Sequence, residues 1–380
     1  MTCHKISSDV NLEKIISQIG STKAGEQIMF QKGKVDFFHI KKLKTPAANI
    51  LKQEALSLGA DVAVPKGVIV CESDFVECLL IISRAKLSHL IEKLLSQPFG
   101  LKDLAKDLKK HLDAKTFKPK IMGVLNANED SFFHGSRFDE RSAQQKIEDM
   151  IAHGAHIIDI GAVSSRPGSE GVSDEVELDR LGGIIDIIYK NKLYEKVIFS
   201  LDTYSPLCAR YVLDRGFKII NDITALQNDE LAKICGEYEA RVCLMHMQND
   251  PKTMQNDPEY EDVVEEIDKF FTKRIEKAKN FGIKDIILDV GIGFGKNLYH
   301  NLILIKNQAH FLHHGYELLV GTSRKSMIDR IISSSIDERL PGTLMLHFEA
   351  VRNGASIIRC HDVKEHFQAL KVYEALKDVV

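Results

Sequence analysis

Eight short apolar runs along the chain each stop on polar, chemically capable residues. They are Ile121–Asn126, His156–Gly161, Val197–Thr203, Ile219–Ile223, Arg241–Met247, Ile286–Gly291, Glu317–Lys325 and Ser356–Asp362. Their length and β-branched content predict strands, with starts spaced about 22 to 45 residues apart, as βα units require. Helical spacing fills the intervals around Ala143–Ala152, Ser205–Arg215, Asp229–Glu239, Glu259–Phe281, Leu298–His310, Pro341–Asn353 and Val363–Leu376. Gly154, Gly216, Gly282, Gly315 and Gly354 each follow a helix and precede the next strand by a few residues. This punctuation predicts an α/β fold, a (β/α)8 TIM barrel. Such a barrel points all eight strand ends at one face, where its active site sits. Charges and amides at strand ends cost folding free energy unless something uses them, so the pattern predicts an enzyme.

A barrel needs about 250 residues, and the 380 present leave room for a second unit. Residues 1–115 have a different texture. Lys34–Leu43 alternates as a strand does, and Ala47–Gly59 carries helical spacing ended by a glycine. Gly67–Ser73 reads as another short apolar strand, Ala85–Gln97 as an amphipathic helix, and Gly100–Lys115 as a charged helical stretch. The expected organisation is a small N-terminal α+β domain over 1–115, with no catalytic constellation, followed by the barrel over 116–380. Hydrophobic residues at 44% and charged residues at 28% describe an ordinary globular protein. A net charge of −3 gives no reason to expect a nucleic-acid surface, so anionic substrates would need local positive charge. The first residues lack the apolar core of a signal peptide, and no run approaches the ~18 apolar residues of a spanning helix. Seven cysteines, never spaced as CxxC, suggest buried free thiols in a reducing cytosol, hence a cytoplasmic protein.

The strand ends carry the chemistry. Asp159, Asp202, Asn221, Asp222 and Asp289 would ring one mouth with carboxylates and amides. Such a ring can read a planar heterocycle that offers several N–H donors, or it can bind a hard cation. Any one of these residues, Asp222 above all, could instead be a helix N-cap. After the last two strands stand Arg324, Lys325, Arg359 and His361. Barrels commonly bind phosphate there, so these cations imply a phosphorylated or pyrophosphorylated substrate, unless they form an ion-pair network. Ser164–Gly168 is a turn-rich loop whose Arg166 could sit over the mouth. Gly291–Lys296 lacks the spacing of a nucleotide-binding loop, and its glycines would let Phe294 lean over the site as an aromatic wall. His246 reads as a packed core histidine within the fifth barrel strand, with Met245 or Met247 supplying a soft apolar wall.

Together these residues resemble dihydropteroate synthase of the folate pathway. The resemblance covers roughly residues 119–376 and runs through MGVLNANEDSFFHGSRF, DIGAVSSRPGSEGVS, SLDTYSPLCARYVLDRGFKIIND, LMHMQNDPKTMQNDPEYEDVV, ILDVGIGFGK, LVGTSRKS and GASIIRCHDV in the family's order. That family condenses 6-hydroxymethyl-7,8-dihydropterin pyrophosphate with p-aminobenzoate, releasing pyrophosphate, with Mg²⁺. The resemblance implies that Asp159, Asp202, Asn221, Asp289 and Lys325 hold the pterin, with Met245 and Phe294 packing on it. It implies Ser165, Arg166, Pro167 and Ser323 at the aminobenzoate, and Asn126, Arg359 and His361 at the pyrophosphate, with Asn126 also at the metal. Lys325, Arg359, Arg166 and Asp130 would be the catalytic positions, and family members are often homodimers.

Motif one of the family reads N-x-T-P-D-S-F-x-D-G. Here Asn128 replaces the Thr, Glu129 the Pro and His134 the second Asp, while Ser165, Val163 and Val290 also depart from the usual residues. The departures lie mostly in loops, whereas the pterin-holding strand ends are intact. They leave two alternatives beside an active synthase. One is a catalytically silent pterin-binding paralogue, and the other is a methyltetrahydrofolate-dependent methyltransferase barrel.

Overall fold

A computed structural model describes residues 1–127, 137–163, 172–249, 253, 254 and 256–379, with the backbone alone for 137–141. The chain divides into two compact units, Met1–Ala114 with Glu374–Val380, and Lys115–Tyr373. Glu374–Val380, which the hydrophobic pattern assigns to the barrel, thus groups with the first unit.

In the first unit the elements run α1 (Leu12–Ile19), α2 (Lys23–Gly33), β1 (Val35–Lys44), α3 (Thr45–Ser57), β2 (Asp61–Ala63), β3 (Phe75–Ser83), α4 (Arg84–Leu94) and α5 (Leu101–Leu112). The strands pair antiparallel in the order β1-β3-β2. Val76, Cys78, Leu80 and Ile82 alternate along β3 and pack with Leu51, Leu90 and Leu101 of the helices into one core. The strand expected at Gly67–Ser73 is absent. Val68–Val70 is a 3₁₀ turn with Ile69 and Val70 exposed. Gly67 at φ 86 and Cys71 at φ 53 bracket it in left-handed backbone, which an extended run cannot accommodate.

The second unit runs β4 (Lys120–Asn126), α6 (Arg137–Ala152), β5 (Ile157–Gly161), α7 (Asp174–Lys190), β6 (Ile198–Asp202), α8 (Pro206–Leu213), β7 (Ile219–Asp222), α9 (Asp229–Glu237), β8 (Arg241–Met245), α10 (Val263–Asn280), β9 (Ile286–Asp289), α11 (Leu298–Lys306), β10 (Glu317–Val320), α12 (Ser326–Ile331), α13 (Leu340–Arg352), β11 (Ile357–Cys360) and α14, which spans Val363–Asp378 and ends in the first unit's residues. The eight strands close in sequence order, all parallel, with β11 pairing β4. The expected (β/α)8 barrel is therefore present. The sixth, seventh and fifth apolar runs overreach: their strands stop at Asp289, Val320 and Met245, leaving His246 just past the end of β8. Helices α7 and α12 were not foreseen.

Period-two alternation builds the barrel interior in layers. Met122, Ile157, Ile219, Cys243, Ile287, Leu319 and Ile357 form one fully buried apolar layer. Two residues earlier on three of these runs stand Arg241, Asp285 and Glu317, joined by Lys120 before Met122. Lys120 Nζ lies 3.0 Å from Glu317, Arg241 Nη2 2.5 Å from the same carboxylate, and Arg241 Nε 3.0 Å from Asp285. Two residues later come Val124, Asp159, Asn221, Met245, Asp289 and Arg359. An ionic floor, an apolar middle and a polar rim thus follow from one alternation. Among the described residues no helix is long and apolar enough to cross a membrane. All seven cysteines are free, but Cys3 and Cys71 are exposed and only five are buried as expected.

Candidate functional site

The rim converges on Arg359. Its Nε donates to Asp159 Oδ2 at 2.7 Å and its Nη2 to Asp202 Oδ2 at 2.8 Å. Asn221 Nδ2 donates to the same Asp159 oxygen at 3.1 Å. Strand register explains the meeting: Asn126 lies beside Gly161, Gly161 beside Asp202, and Asp202 beside Asn221. Asp159 is fully buried, and among the described residues its Oδ1 has no hydrogen-bond partner. Burial pushes the Asp202 carboxyl up to about 7, against the opposing pull of Arg359.

Asp289 and Met245 sit side by side across β8 and β9. Asp289 Oδ1 accepts the Gly291 N–H at 2.8 Å. Burial raises this carboxyl, while that N–H and Lys325 pull it back. Position 291 demands glycine, because φ is +67° and a Cβ would lie 1.9 Å from the His246 carbonyl oxygen. The turn after it brings Phe294 to Lys325, whose Nζ lies 4.6 Å from the ring centroid and donates to the Ile292 carbonyl. Withdrawal from water lowers the Lys325 ammonium to about 8, partly offset by Asp289. Lys296 at the end of this turn is buried and donates to His246 Nδ1 at 3.0 Å and to the Phe294 carbonyl at 2.9 Å. Burial and Lys296 hold His246 down to about 2, so it is the neutral packed histidine expected, with an unforeseen lysine partner. Lys296 is a brace for the turn that carries Phe294.

The last two strand ends are tied together. Ser323 Oγ and His361 Nδ1 are 2.9 Å apart, and the His361 N–H donates to Ser323 Oγ at 3.2 Å. Arg324 forks onto Asp362 at 3.1 and 2.6 Å and reaches Asp337 at 2.8 Å. For Arg324 the ion-pair alternative holds, and it is set apart from the phosphate cations. Asp222 also leaves the ring. It is buried and accepts from the Thr224 N–H, the Thr224 hydroxyl and the Leu226 N–H, each at 2.7 Å. It shapes the loop after β7, while Asn228 caps α9.

Two buried histidines missed in the sequence lie behind the loops. The Thr322 N–H donates to His347 Nε2 at 2.9 Å, His347 Nδ1 meets His366 Nε2 at 2.8 Å, and His366 Nδ1 meets the Asp362 carbonyl at 2.6 Å. Nothing in the sequence signals them, because they sit in α13 and α14 and meet only through the fold. Asn126, the last residue of β4, is half-buried, and its carboxamide oxygen is a donor of the hard type that Mg²⁺ takes. Asp130, Ser165, Arg166 and Pro167 lie outside the described residues, as do Asn128, Glu129 and His134.

Comparison with known proteins identifies the family. Residues 122–361 match the family described as pterin binding enzyme. A bifunctional dihydropteroate synthase/dihydropteroate reductase of Helicobacter pylori is 43% identical over 368 residues, 97% of each chain. The dihydropteroate synthase of Escherichia coli K12 is 42% identical over 260 residues, covering 68% of this chain and 91% of its own. Among solved structures, dihydropteroate synthase from Thermus thermophilus in complex with 4-aminobenzoate superposes with a TM-score of 0.61 at 33% identity, over 68% of this chain and 95% of the other. The chain belongs to the dihydropteroate synthases of the pterin-binding enzyme family.

Proposed function

We propose that the barrel condenses 6-hydroxymethyl-7,8-dihydropterin pyrophosphate with p-aminobenzoate to give 7,8-dihydropteroate and pyrophosphate. The observation that carries this is the meeting of Asp159, Asp202, Asn221 and Arg359 one step above the apolar layer, with a buried Asp159 oxygen left to accept. A pterin edge offers the matching row of N–H groups. Asp202, Asn221 and Asp289 bind that edge, Met245 and Phe294 pack on the ring, and Lys325 closes over it. The C–O bond to the pyrophosphate breaks first and the leaving oxygen takes the electron pair. The methylene cation is stabilised by the pterin ring, and the aniline nitrogen of p-aminobenzoate attacks it and then loses a proton.

The chain's work is to neutralise the leaving anion and align the amine. Arg359 and His361 face the anion, and Ser323 borders the arylamine. Ser165, Arg166, Pro167 and Asp130 complete these roles in the proposal. Mg²⁺, with Asn126 among its ligands, supplies further neutralisation of the pyrophosphate oxygens when bound. The test is dihydropteroate formation by the purified chain with both substrates and Mg²⁺. Pterin binding without product would make the chain a silent paralogue.

A second reading rests on the H. pylori relative, whose 97% match extends well beyond the barrel. By its likeness the chain would also reduce dihydropteroate, with a hydride donor such as a reduced nicotinamide being oxidised in step. Anaerobic oxidation of that donor, strictly dependent on dihydropteroate, is the measurement. No donor oxidation would leave the synthase alone. We further propose a cytoplasmic homodimer, checked by fractionation and light scattering.

A further inference from the structure

Away from the rim, three imidazoles close on one carboxylate oxygen. Asp268 belongs to α10, while His310, His313 and His314 belong to the 3₁₀ segment Gln308–His314 between α11 and β10. Asp268 Oδ1 lies 2.6 Å from His313 Nε2, 2.9 Å from His314 Nε2 and 3.5 Å from His310 Nε2. In a 3₁₀ turn His310 and His313 eclipse each other, and the adjacent His314 reaches the same oxygen from beside them. Phe271 and Phe311 stand edge-on to His314 and His310 and fix the ring planes. The side chains of His313 and His314 are only 7% and 8% exposed, whereas His310 at 35% leaves one side open.

A single carboxylate oxygen has two lone pairs, and three ring nitrogens compete for them. A divalent cation drawn between them instead takes one lone pair from the oxygen and one each from the His313 and His314 imidazoles. The ligand atoms of Asp268, His313 and His314 all lie within 4.8 Å of one another. Metal bonds of about 2.0–2.2 Å at tetrahedral angles separate ligand atoms by roughly 3.3 Å. The carboxylate–imidazole separations of 2.6 and 2.9 Å therefore need to widen by less than about 1 Å, a side-chain adjustment. Imidazoles are poor ligands for Mg²⁺ and good ones for zinc, nickel, cobalt and copper.

We propose that Asp268, His313 and His314 form a second metal site, for a divalent cation of the zinc class, with its fourth position on the open side toward His310. His314 lies three residues before Glu317 of the ionic floor, so the ion sits toward the end of β10 opposite the polar rim. It clamps α10 to the segment leading into β10 and takes no part in turnover.

The test uses the full-length chain, stripped by a chelator and titrated with Co²⁺ alone, then with competing Zn²⁺. The expected result is one Co²⁺ per chain with the intense d–d bands of tetrahedral N/O ligation, its displacement by Zn²⁺, and a rise in melting temperature with Zn²⁺. Asp268→Asn should weaken Co²⁺ binding at least about 100-fold, since even outer partners of a metal are worth 10–100-fold. His314→Ala, which removes a ligand 2.9 Å from Asp268, gives a second test, with circular dichroism as the check that the variant folds. Failure to bind Co²⁺, thiolate charge-transfer bands, or unchanged affinity in the folded variants would overturn the site.

Discussion

Lys325 faces two opposed demands. In the proposed reaction its ammonium must be charged to hold the pterin and the departing anion, yet its withdrawal from water disfavours that charge and brings it down to about 8. The folded-state value lies below the ordinary lysine value, so the proton leaves as the pH rises through about 8, and anion binding fails above it. The free enzyme's kcat/KM for the pterin pyrophosphate should therefore fall on the alkaline side near pH 8. In Lys325→Arg that limb should vanish, because a guanidinium stays charged. Lys325→Ala should weaken pterin pyrophosphate binding by about 1.5–3 kcal/mol, the contribution of a hydrogen bond to a charged group. A pH–rate limb unchanged in Lys325→Arg, or full affinity in the alanine variant by calorimetry, would take Lys325 out of the site. The residue types of this site were legible in the sequence, as the meeting of Asp159, Asp202, Asn221 and Arg359 attests. Their pairing was not. An arginine read as free to receive an anion stands between two carboxylates, and one read as its neighbour, Arg324, is held by Asp362.

At the level of elements, the loops after β10 and β11 work as one piece because their backing fixes them. The Thr322 N–H donates to His347 Nε2, so the proton of that ring sits on Nδ1 and points at His366 Nε2. His366 must then carry its own proton on Nδ1, toward the Asp362 carbonyl. Burial holds both imidazoles below their ordinary range, so the chain of donors keeps its direction through neutral pH. His347→Leu should leave the Thr322 N–H and His366 Nε2 without partners at a cost of about 1–3 kcal/mol each. In steady-state kinetics the KM for the pyrophosphate substrate should rise more than that for p-aminobenzoate, since Lys325 and His361 stand on these loops and Arg359 on the strand that leads into one. Equal changes in both would reduce His347 to a packing residue. Strands were legible here because each carries a buried apolar centre between its polar ends. Their ends were read too long, since nothing in the sequence marks the stop of pairing after Met245, Asp289 and Val320. Gly67–Ser73 misled for the converse reason: its apolar residues sit in a turn and two of them face solvent.

For the barrel unit as a whole, closure depends on both ends being filled, and only the rim was visible in the sequence. The floor depends on which strands become neighbours, because Glu317 meets Lys120 and Arg241 from strands far apart in the chain. Its side chain is 7% exposed and that of Arg241 is 15%, so these two form a buried pair whose outer members, Lys120 at 36% and Asp285 at 65%, reach solvent. Such a group adds little against an apolar substitute, but removing one partner strands the other charges. Glu317→Gln keeps the size and deletes the charge, leaving Lys120 without a carboxylate beneath the apolar layer while Arg241 keeps Asp285. Urea denaturation should then show a loss of about 1–3 kcal/mol, since Lys120 reaches solvent. Because the rim stands two layers above, pterin affinity in the folded fraction should stay within about twofold of the parent, as distant sites add independently. Double substitution with Lys120→Met should recover part of the loss, since it removes the cation whose carboxylate is gone, whereas Arg241 keeps Asp285. An unaltered denaturation midpoint in Glu317→Gln would mean that the apolar layer alone holds the barrel closed.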